Sequence, residues 1–250
     1  IRRPRPQRRV DPVGRKRMNG MAPVITVDGP GGVGKGALCQ WLATRLGWRL
    51  LDSGALYRLT ALAAQRRNLS LNDEPQVAAI ATGLDVEFST GENGILHIRL
   101  EGEEVSAAIR SEPAGNAASQ VAALPQVRAA LLQRQRDFRQ WPGLIADGRD
   151  MGTVVFPNAE LKLFLTADPV ERARRRHKQL SENKMNVSLA ALEREIAERD
   201  ARDVHRAAAP LTPAADANIL DTTPMSIAQV GEWAWRQVRQ RLEIPTWRRD

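Results

Sequence analysis

The stretch from Val24 to Leu38, VITVDGPGGVGKGAL, constrains this chain more than any other. Val24 to Val27 is short, apolar and β-branched, as a buried strand of a parallel sheet should be. Gly29 to Lys35 then matches G-x-x-x-x-G-K, the spacing of a phosphate-binding loop. Glycines let several backbone N–H groups converge on one anion. The helix expected from about Gly34 adds the positive end of its dipole. Lys35 supplies a point charge for the outer phosphates of a nucleoside triphosphate. The hydroxyl residue that usually follows this lysine is missing, because Gly36 and then Ala37 stand there. A local contact to Mg²⁺ is therefore absent. A ligand-free glycine turn is the competing reading, but strand, spacing, lysine and helix all favour phosphate.

At 250 residues the chain is long enough for one sizeable domain with a small insert. Nothing in it approaches the run of about 18 apolar residues that a membrane helix needs. The one cysteine, Cys39, has no internal partner for a disulfide, which suits a reducing cytoplasm. The net charge of +8 invites a nucleic-acid reading. Residues 1–20 hold Arg2, Arg3, Arg5, Arg8, Arg9, Arg15, Lys16 and Arg17 against Asp11 alone, which is seven of those eight charges. The body is nearly neutral, and no nucleic-acid partner is expected. The Arg- and Pro-rich tail has almost no apolar pattern and is expected to be disordered. Met18 and Met21 both qualify as start residues. A targeting peptide is not expected, since prolines interrupt the tail and no apolar region follows.

Alternation of strands and helices along the rest of the chain predicts an α/β fold with a mostly parallel sheet. Strands are expected at Leu50–Asp52, Leu144–Ala146, Leu161–Leu165 and Ala217–Leu220. Helices are expected after Lys35, over 55–65, 125–140 and 226–242. Asp85–Ser89 and Leu96–Leu100 alternate in polarity around a turn cluster at 90–94, which predicts an antiparallel hairpin. His97, within it, reads as structural. Two arginine-rich helices follow. On the first, about Pro169 to Leu180, Arg172, Arg175 and Arg176 share one face. On the second, from about Leu189, the residues Arg199, Arg202, Asp203 and Arg206 fall in one sector if the helix persists. A charge run is usually a solvated face, yet phosphoryl transfer needs positive charge around the transferring group.

Four separated stretches carry a family resemblance. Asp52-Ser53-Gly54-Ala55-Leu56-Tyr57-Arg58, Asn116 to Ala122, Asp147-Gly148-Arg149-Asp150-Met151-Gly152-Thr153 and Glu198 to Asp203 resemble bacterial cytidylate kinases, in the right order and over about residues 22–242. The resemblance implies a P-loop nucleoside-monophosphate kinase fold. Its parts would be a five-stranded parallel core sheet with helices on both faces, an arginine-rich lid, and an inserted monophosphate-binding subdomain with antiparallel strands. The implied bounds are a tail at 1–20 and a kinase domain at 21–250. Within the domain the core takes about 22–82 and 121–242, the insert about 83–120 and the lid about 170–188.

The resemblance also implies roles. Gly29, Pro30, Gly31, Gly32, Val33, Gly34, Lys35, Gly36 and Ala37 would hold the phosphates of ATP. Ser53, Arg58 and Arg149 would grip the acceptor phosphate. Ser119, Arg128 and Asp150 would read cytosine, with Asp147 also at the CMP site. Arg199 and Asp203 would contact the ribose, with Arg206 nearby. Lys35, Arg149, Arg199, Arg175 and Arg176 would carry the catalytic charge. The implied reaction is ATP-dependent phosphorylation of CMP and dCMP, with Mg²⁺ held mainly by nucleotide phosphates and water. A cytoplasmic monomer is implied, with small-molecule partners only. The base chemistry agrees: a carboxylate such as Asp150 accepts from the exocyclic amine of cytosine, while Arg128 and Ser119 donate to N3 and O2. Uracil puts a carbonyl where cytosine has the amine.

Two positions depart from the family pattern, which often has a hydroxyl residue at Gly31 and another at Ala37. A kinase for UMP, AMP or a non-nucleotide acceptor is the nearest alternative, and Asp150 and Arg128 argue against it. A switch-type GTPase would want an Asn-Lys-x-Asp that the sequence lacks. An RNA-binding role through the basic tail would want interleaved aromatics, also lacking there.

Overall fold

The structure is a computed structural model that describes residues 20–90, 96–182 and 187–242. The expected tail, the hairpin turn at 91–94 and part of the 170–188 stretch lie outside the described residues.

The central strand is β1 (Val24–Asp28), buried along its whole length. It leads through the glycine loop into α1 (Lys35–Leu46), then β2 (Arg49–Asp52) and α2 (Ser53–Arg66). Asp52 caps α2 by accepting from the Ala55 N–H at 3.1 Å. Next come α3 (Glu74–Thr82) and an antiparallel sheet of β3 (Val86–Thr90), β4 (Leu96–Leu100) and the two-residue β5 (Glu103–Glu104). A short 3₁₀ turn, Ala108–Arg110, leads to α4 (Glu112–Val121) and α5 (Pro125–Asp137). Then β6 (Leu144–Gly148) runs into a single π-helical turn, Met151–Val155, followed by β7 (Leu161–Thr166). Helices α6 (Pro169–Glu182) and α7 (Leu189–His205), strand β8 (Asn218–Asp221) and α8 (Ile227–Arg241) complete the order.

The main sheet has the order β2-β6-β1-β7-β8, with every pairing parallel. Parallel strands need helical crossovers, and these cover both faces. The period of two in β1 divides them. Val24 belongs to the layer with Leu51, Leu56, Leu59, Val127, Leu131 and Met151. Ile25 and Val27 belong to the other, with Leu38, Leu42, Leu163, Ala234 and Trp235. The first layer also takes in Ile98 and Leu100 of the small sheet and Val121 of α4, so the 83–120 stretch shares its core with the main sheet.

The hairpin expected from alternating polarity is present, with Val86 opposite Leu100 and Phe88 opposite Ile98. His97 faces Glu104 at 3.6 Å, both half-exposed, which fits the structural reading. Among the described residues no helix is long and apolar enough to cross a membrane.

Candidate active site

Strand β1 delivers the loop that begins the site. Gly29 has φ +144, and a Cβ there would lie 2.1 Å from the Leu165 carbonyl oxygen, so the loop root packs against β7 where no side chain fits. Gly34 is left-handed and precedes α1 with no side-chain cap. The first N–H groups of α1 are therefore left for a ligand, as at other helix N-termini that bind phosphate. Lys35 is buried, and its Nζ donates to the Pro30 carbonyl at 2.7 Å. Burial, reinforced by the Arg149 charge and opposed by Asp147, brings its pKa down to about 7.

The other wall is built from the end of β6. Burial raises the Asp147 carboxyl to about 6, against the pull of Lys35. Arg149 donates through Nε to Asp203 at 2.9 Å and through Nη1 to the Gly148 carbonyl at 3.2 Å. Asp150, 3% exposed, pairs closely with Arg128 and lies 3.6 Å from Arg206. Arg128 also donates to the Ala122 carbonyl at 3.2 Å, and its guanidinium sits 5.8 Å from the Tyr57 ring centroid. Ser119 on α4 meets Asp203 at 3.5 Å and accepts from Arg202 at 3.2 Å. Ser53, buried, and Arg58, 3.7 Å from Asp52, open α2 on the same side.

The glycine loop and the wall at the end of β6 meet at Gly31. Arg149 Nη2 and Arg199 Nη1 lie 3.7 and 4.0 Å from the point where a Cβ on Gly31 would stand. Arg199 Nε and Arg206 Nη2 are buried without a hydrogen-bond partner. Burial, then the neighbouring Arg149 charge, lowers Arg199 to about 10. A buried guanidinium with an unused N–H is costly, so this arrangement fits an anionic ligand that completes it. A cleft of about 1450 Å³ runs past the glycine loop, Ser53, Arg58, Ser119, Asp147, Arg149, Asp150, Arg199, Asp203 and Arg206. Arg128 stands behind it, contributing through Asp150.

The arginines of α6 divide three ways. Arg172 is 2% exposed, pairs with Asp200 on α7 and donates to the Gly31 carbonyl at 3.1 Å. It clamps the loop to the two helices. Arg175 is tied to the β8–α8 connection, donating to Thr222 Oγ1 at 3.2 Å and the Thr222 carbonyl at 2.7 Å. Arg176 pairs with Glu112 at the start of α4. Arg175 and Arg176 both line the cleft, yet both are already engaged. Helical spacing gave the shared face and could not distinguish these partners.

Several participants lay outside the sequence reading. Asp28, at the end of β1, accepts from the backbone N–H groups of Met151 and Gly152, each at 2.8 Å. Arg202 also donates to Asn116 at 3.3 Å, and Tyr57 lies under Arg128. Asn116 and Tyr57 stand inside the quoted motifs, so proximity in sequence was an available signal for them. Among the described residues no group of three His, Cys, Asp or Glu side chains is placed to hold a metal ion. The carboxylate nearest the missing hydroxyl is Asp147, whose Oδ2 lies 3.8 Å from a Cβ placed on Gly36.

The sequence model of a family described as cytidylate kinase matches residues 25–240. A cytidylate kinase from Salmonella typhimurium is 56% identical over 227 residues, covering 91% of this chain and 100% of that protein. One from Yersinia pestis is 56% identical over 228 residues, covering 91% and 99%. Among solved structures, a gluconokinase from Sinorhizobium meliloti aligns with a TM-score of 0.47 at 12% identity, covering 88% of this chain and 93% of that one.

Proposed function

The chain belongs to the cytidylate kinase family, and we propose that its cleft carries out ATP-dependent phosphorylation of CMP and dCMP to CDP and dCDP. The chain is a transferase of the nucleoside-monophosphate kinase class, with nucleotide substrates. The single observation that carries the reading of the site is the meeting of Lys35, Arg149 and Arg199 where the glycine loop faces the acceptor wall. Gly29 to Ala37 cradle the donor phosphates in this reading. Ser53, Arg58 and Arg149 take the acceptor phosphate, and Arg199, Asp203 and Arg206 take the ribose and its phosphate. Asp150 and Ser119 read the base, and Arg128, expected from sequence to read it too, acts by holding Asp150. Arg175 and Arg176 add positive charge at the donor end. The core, insert and lid take the bounds given above, in a cytoplasmic monomer.

Transfer is in line. An acceptor-phosphate oxygen forms a bond to the γ-phosphorus as the bond from that phosphorus to the bridging oxygen breaks, and ADP leaves with the electron pair. The acceptor oxygen is already anionic, so no strong general base is needed. Positioning and charge neutralisation supply the catalysis. Lys35 and Arg149 neutralise the charge that develops on the transferring group, and Arg199 keeps it from repelling the acceptor. Mg²⁺ fits as an ion brought by the triphosphate, because the loop has no hydroxyl at Gly36 or Ala37 and, among the described residues, no group of three acidic or other ligating side chains is placed to hold it. The nucleotide phosphates and water would hold it beside Asp147, and it would further neutralise the β- and γ-phosphates.

Base choice follows from Asp150. Its carboxylate, fixed by Arg128, accepts from the cytosine amine and would face the uracil carbonyl with like polarity. Sites that leave a buried polar group unpaired in this way discriminate by roughly 10⁴-fold. The test is a coupled ADP-release assay with Mg·ATP and CMP, dCMP, UMP or AMP as acceptor. A kcat/KM for CMP far above those for UMP and AMP supports the reading. Equal rates with UMP would make Asp150 a structural carboxylate.

A further inference from the structure

The π-helical turn that follows Asp150 has an unusual start. Asp150 stands at its N-cap position, with φ −146, ψ 23 and no hydrogen bond from its side chain to the turn. Aspartate is among the best N-caps, and an Asp there ordinarily turns back onto the first free N–H groups. Here its carboxylate points the other way, to Arg128 and Arg206. The N–H groups of Met151 and Gly152 are satisfied instead by Asp28, one by each carboxylate oxygen at 2.8 Å.

Asp28 is 5% exposed and its place is set by the sheet. It pairs with Gly148 on β6 and Phe164 on β7, so its backbone is held from both sides. The alternation of β1 sends its side chain to the face of Val24 and Thr26, under the turn. Burial costs the carboxylate heavily, lifting its pKa to about 7 against the two N–H donors and Lys35, with Asp150 adding to the rise. No side-chain cation pairs with it among the described residues. A buried carboxylate that, among the described residues, accepts hydrogen bonds from one turn alone is there for that turn. The approach is close: a Cβ on Gly152 would come within 3.3 Å of Asp28 Oδ2.

We propose that Asp28 is a positioning residue for base recognition, capping the 151–155 turn from another strand so that the carboxylate of Asp150 stays in the cleft. This rests on the reading of Asp150 as the base reader. Without Asp28 the two N–H groups lose their acceptor, and Asp150 is the carboxylate near enough in sequence to replace it. Rotation of Asp150 onto the turn would withdraw the acceptor for the cytosine amine. The loop root would remain, since Gly29 packs on β7 independently.

The experiment compares Asp28→Ala, Asp28→Asn and Asp150→Asn, with acceptor and donor varied separately. Asp150→Asn tests the underlying reading and should narrow the CMP-over-UMP preference by at least about tenfold. Asp28→Ala should raise the KM for CMP about tenfold or more and narrow the same preference, with the KM for ATP within about twofold. Asp28→Asn retains one acceptor and should recover part of both effects; it also serves if the alanine variant does not fold. If Asp150→Asn alters discrimination and neither Asp28 variant does, the proposal fails alone. If Asp150→Asn leaves discrimination intact, the base-reading assignment fails and takes the proposal with it. A uniform fall in kcat for all acceptors, with the preference unchanged, marks Asp28 as merely structural and also overturns it.

Discussion

Arg149 and Asp203 join two ends of the cleft that are far apart in sequence: Arg149 Nε donates to Asp203 Oδ2 at 2.9 Å, linking the β6 turn to α7. Both are largely buried. Burial pushes the Asp203 carboxyl up, but Arg149 and Arg199 outweigh it, so the group sits below the usual carboxylate range. The same aspartate accepts from Ser119, so it ties α4 to the pair as well.

Asp203→Ala should therefore cost both stability and turnover. Removing one partner of a buried pair costs about 3–5 kcal/mol, because the other charge stays buried and uncompensated. The expected result is a fall in urea unfolding free energy at the low end of that range, and a drop in kcat/KM for CMP of about 100-fold. The KM for ATP should change little. The sign with pH is also set. A carboxyl depressed in the folded state stabilises above its unfolded pKa and loses that contribution as pH falls through the folded value. The acid-unfolding midpoint of the variant should lie at higher pH than that of the parent.

Lys35, if it meets the donor phosphates as proposed, should make ATP binding a proton-uptake reaction. With a pKa of about 7 in the free protein, its ammonium is largely neutral at pH 8 and largely charged at pH 6. The donor phosphates favour the charged form. Uptake should approach about one proton at pH 8 and shrink towards pH 6. Isothermal titration calorimetry in buffers of different ionisation enthalpy reads this directly. Lys35→Met should abolish the buffer dependence and lower kcat by about 10³-fold or more. In the ligand-free protein the lowered pKa has a separate consequence: between about pH 7 and the ordinary lysine value the unfolded chain binds more protons, so this group makes stability rise with pH. A flat buffer series at pH 8 would rule out the perturbed lysine.

Legibility from sequence followed distance along the chain. The glycine loop, the 52–58 turn and the 147–153 turn each hold their chemistry in a contiguous run, and the structure brings all three to one cleft. Three strands of the main sheet, β1, β6 and β7, were visible because buried parallel strands are unbroken apolar runs. The edge strands β2 and β8 are mostly exposed or half-buried, and their signal was the short apolar pairs Leu50-Leu51 and Ile219-Leu220. The two-residue β5 was not, because Glu103 and Glu104 have no strand pattern and are strands only through pairing with Arg99 and Leu100. Helical periodicity placed Arg172, Arg175 and Arg176 on one face but carries no information about Asp200, Thr222 or Glu112. Asp28 stood between the strand and the glycine loop with no role assigned to it, since its partners are 123 and 124 residues away.

Gly152→Ala tests how tightly the β6 turn is packed on β1. The added methyl would lie 2.9 Å from Thr26 Oγ1, 3.1 Å from Lys162 Cδ and 3.3 Å from Asp28 Oδ2. Thr26 is buried and β-branched, so it has no free rotamer to retreat into. Overpacking of this kind costs typically about 1–3 kcal/mol. Chemical denaturation should show a loss in that range, with the KM for CMP rising more than the KM for ATP. A variant as stable as the parent would mean that the turn is looser than its contacts imply.

Ala37→Thr restores a hydroxyl at the start of α1, where the chain has none. Ala37 is exposed at the cleft and α1 lacks a side-chain cap, so the added atoms meet no packed neighbour. Threonine costs a few tenths of a kcal/mol in helix propensity relative to alanine. A hydrogen bond to a charged phosphate oxygen is worth about 1.5–3 kcal/mol. The second term is larger, so the KM for Mg·ATP should fall by about tenfold, which corresponds to about 1.4 kcal/mol. The KM for CMP should stay where it is, because the acceptor wall is untouched. Initial rates across a range of Mg·ATP at saturating CMP decide the matter. An unchanged KM for Mg·ATP would show that backbone N–H groups and Lys35 already saturate the phosphates, and that the missing hydroxyl costs this chain nothing.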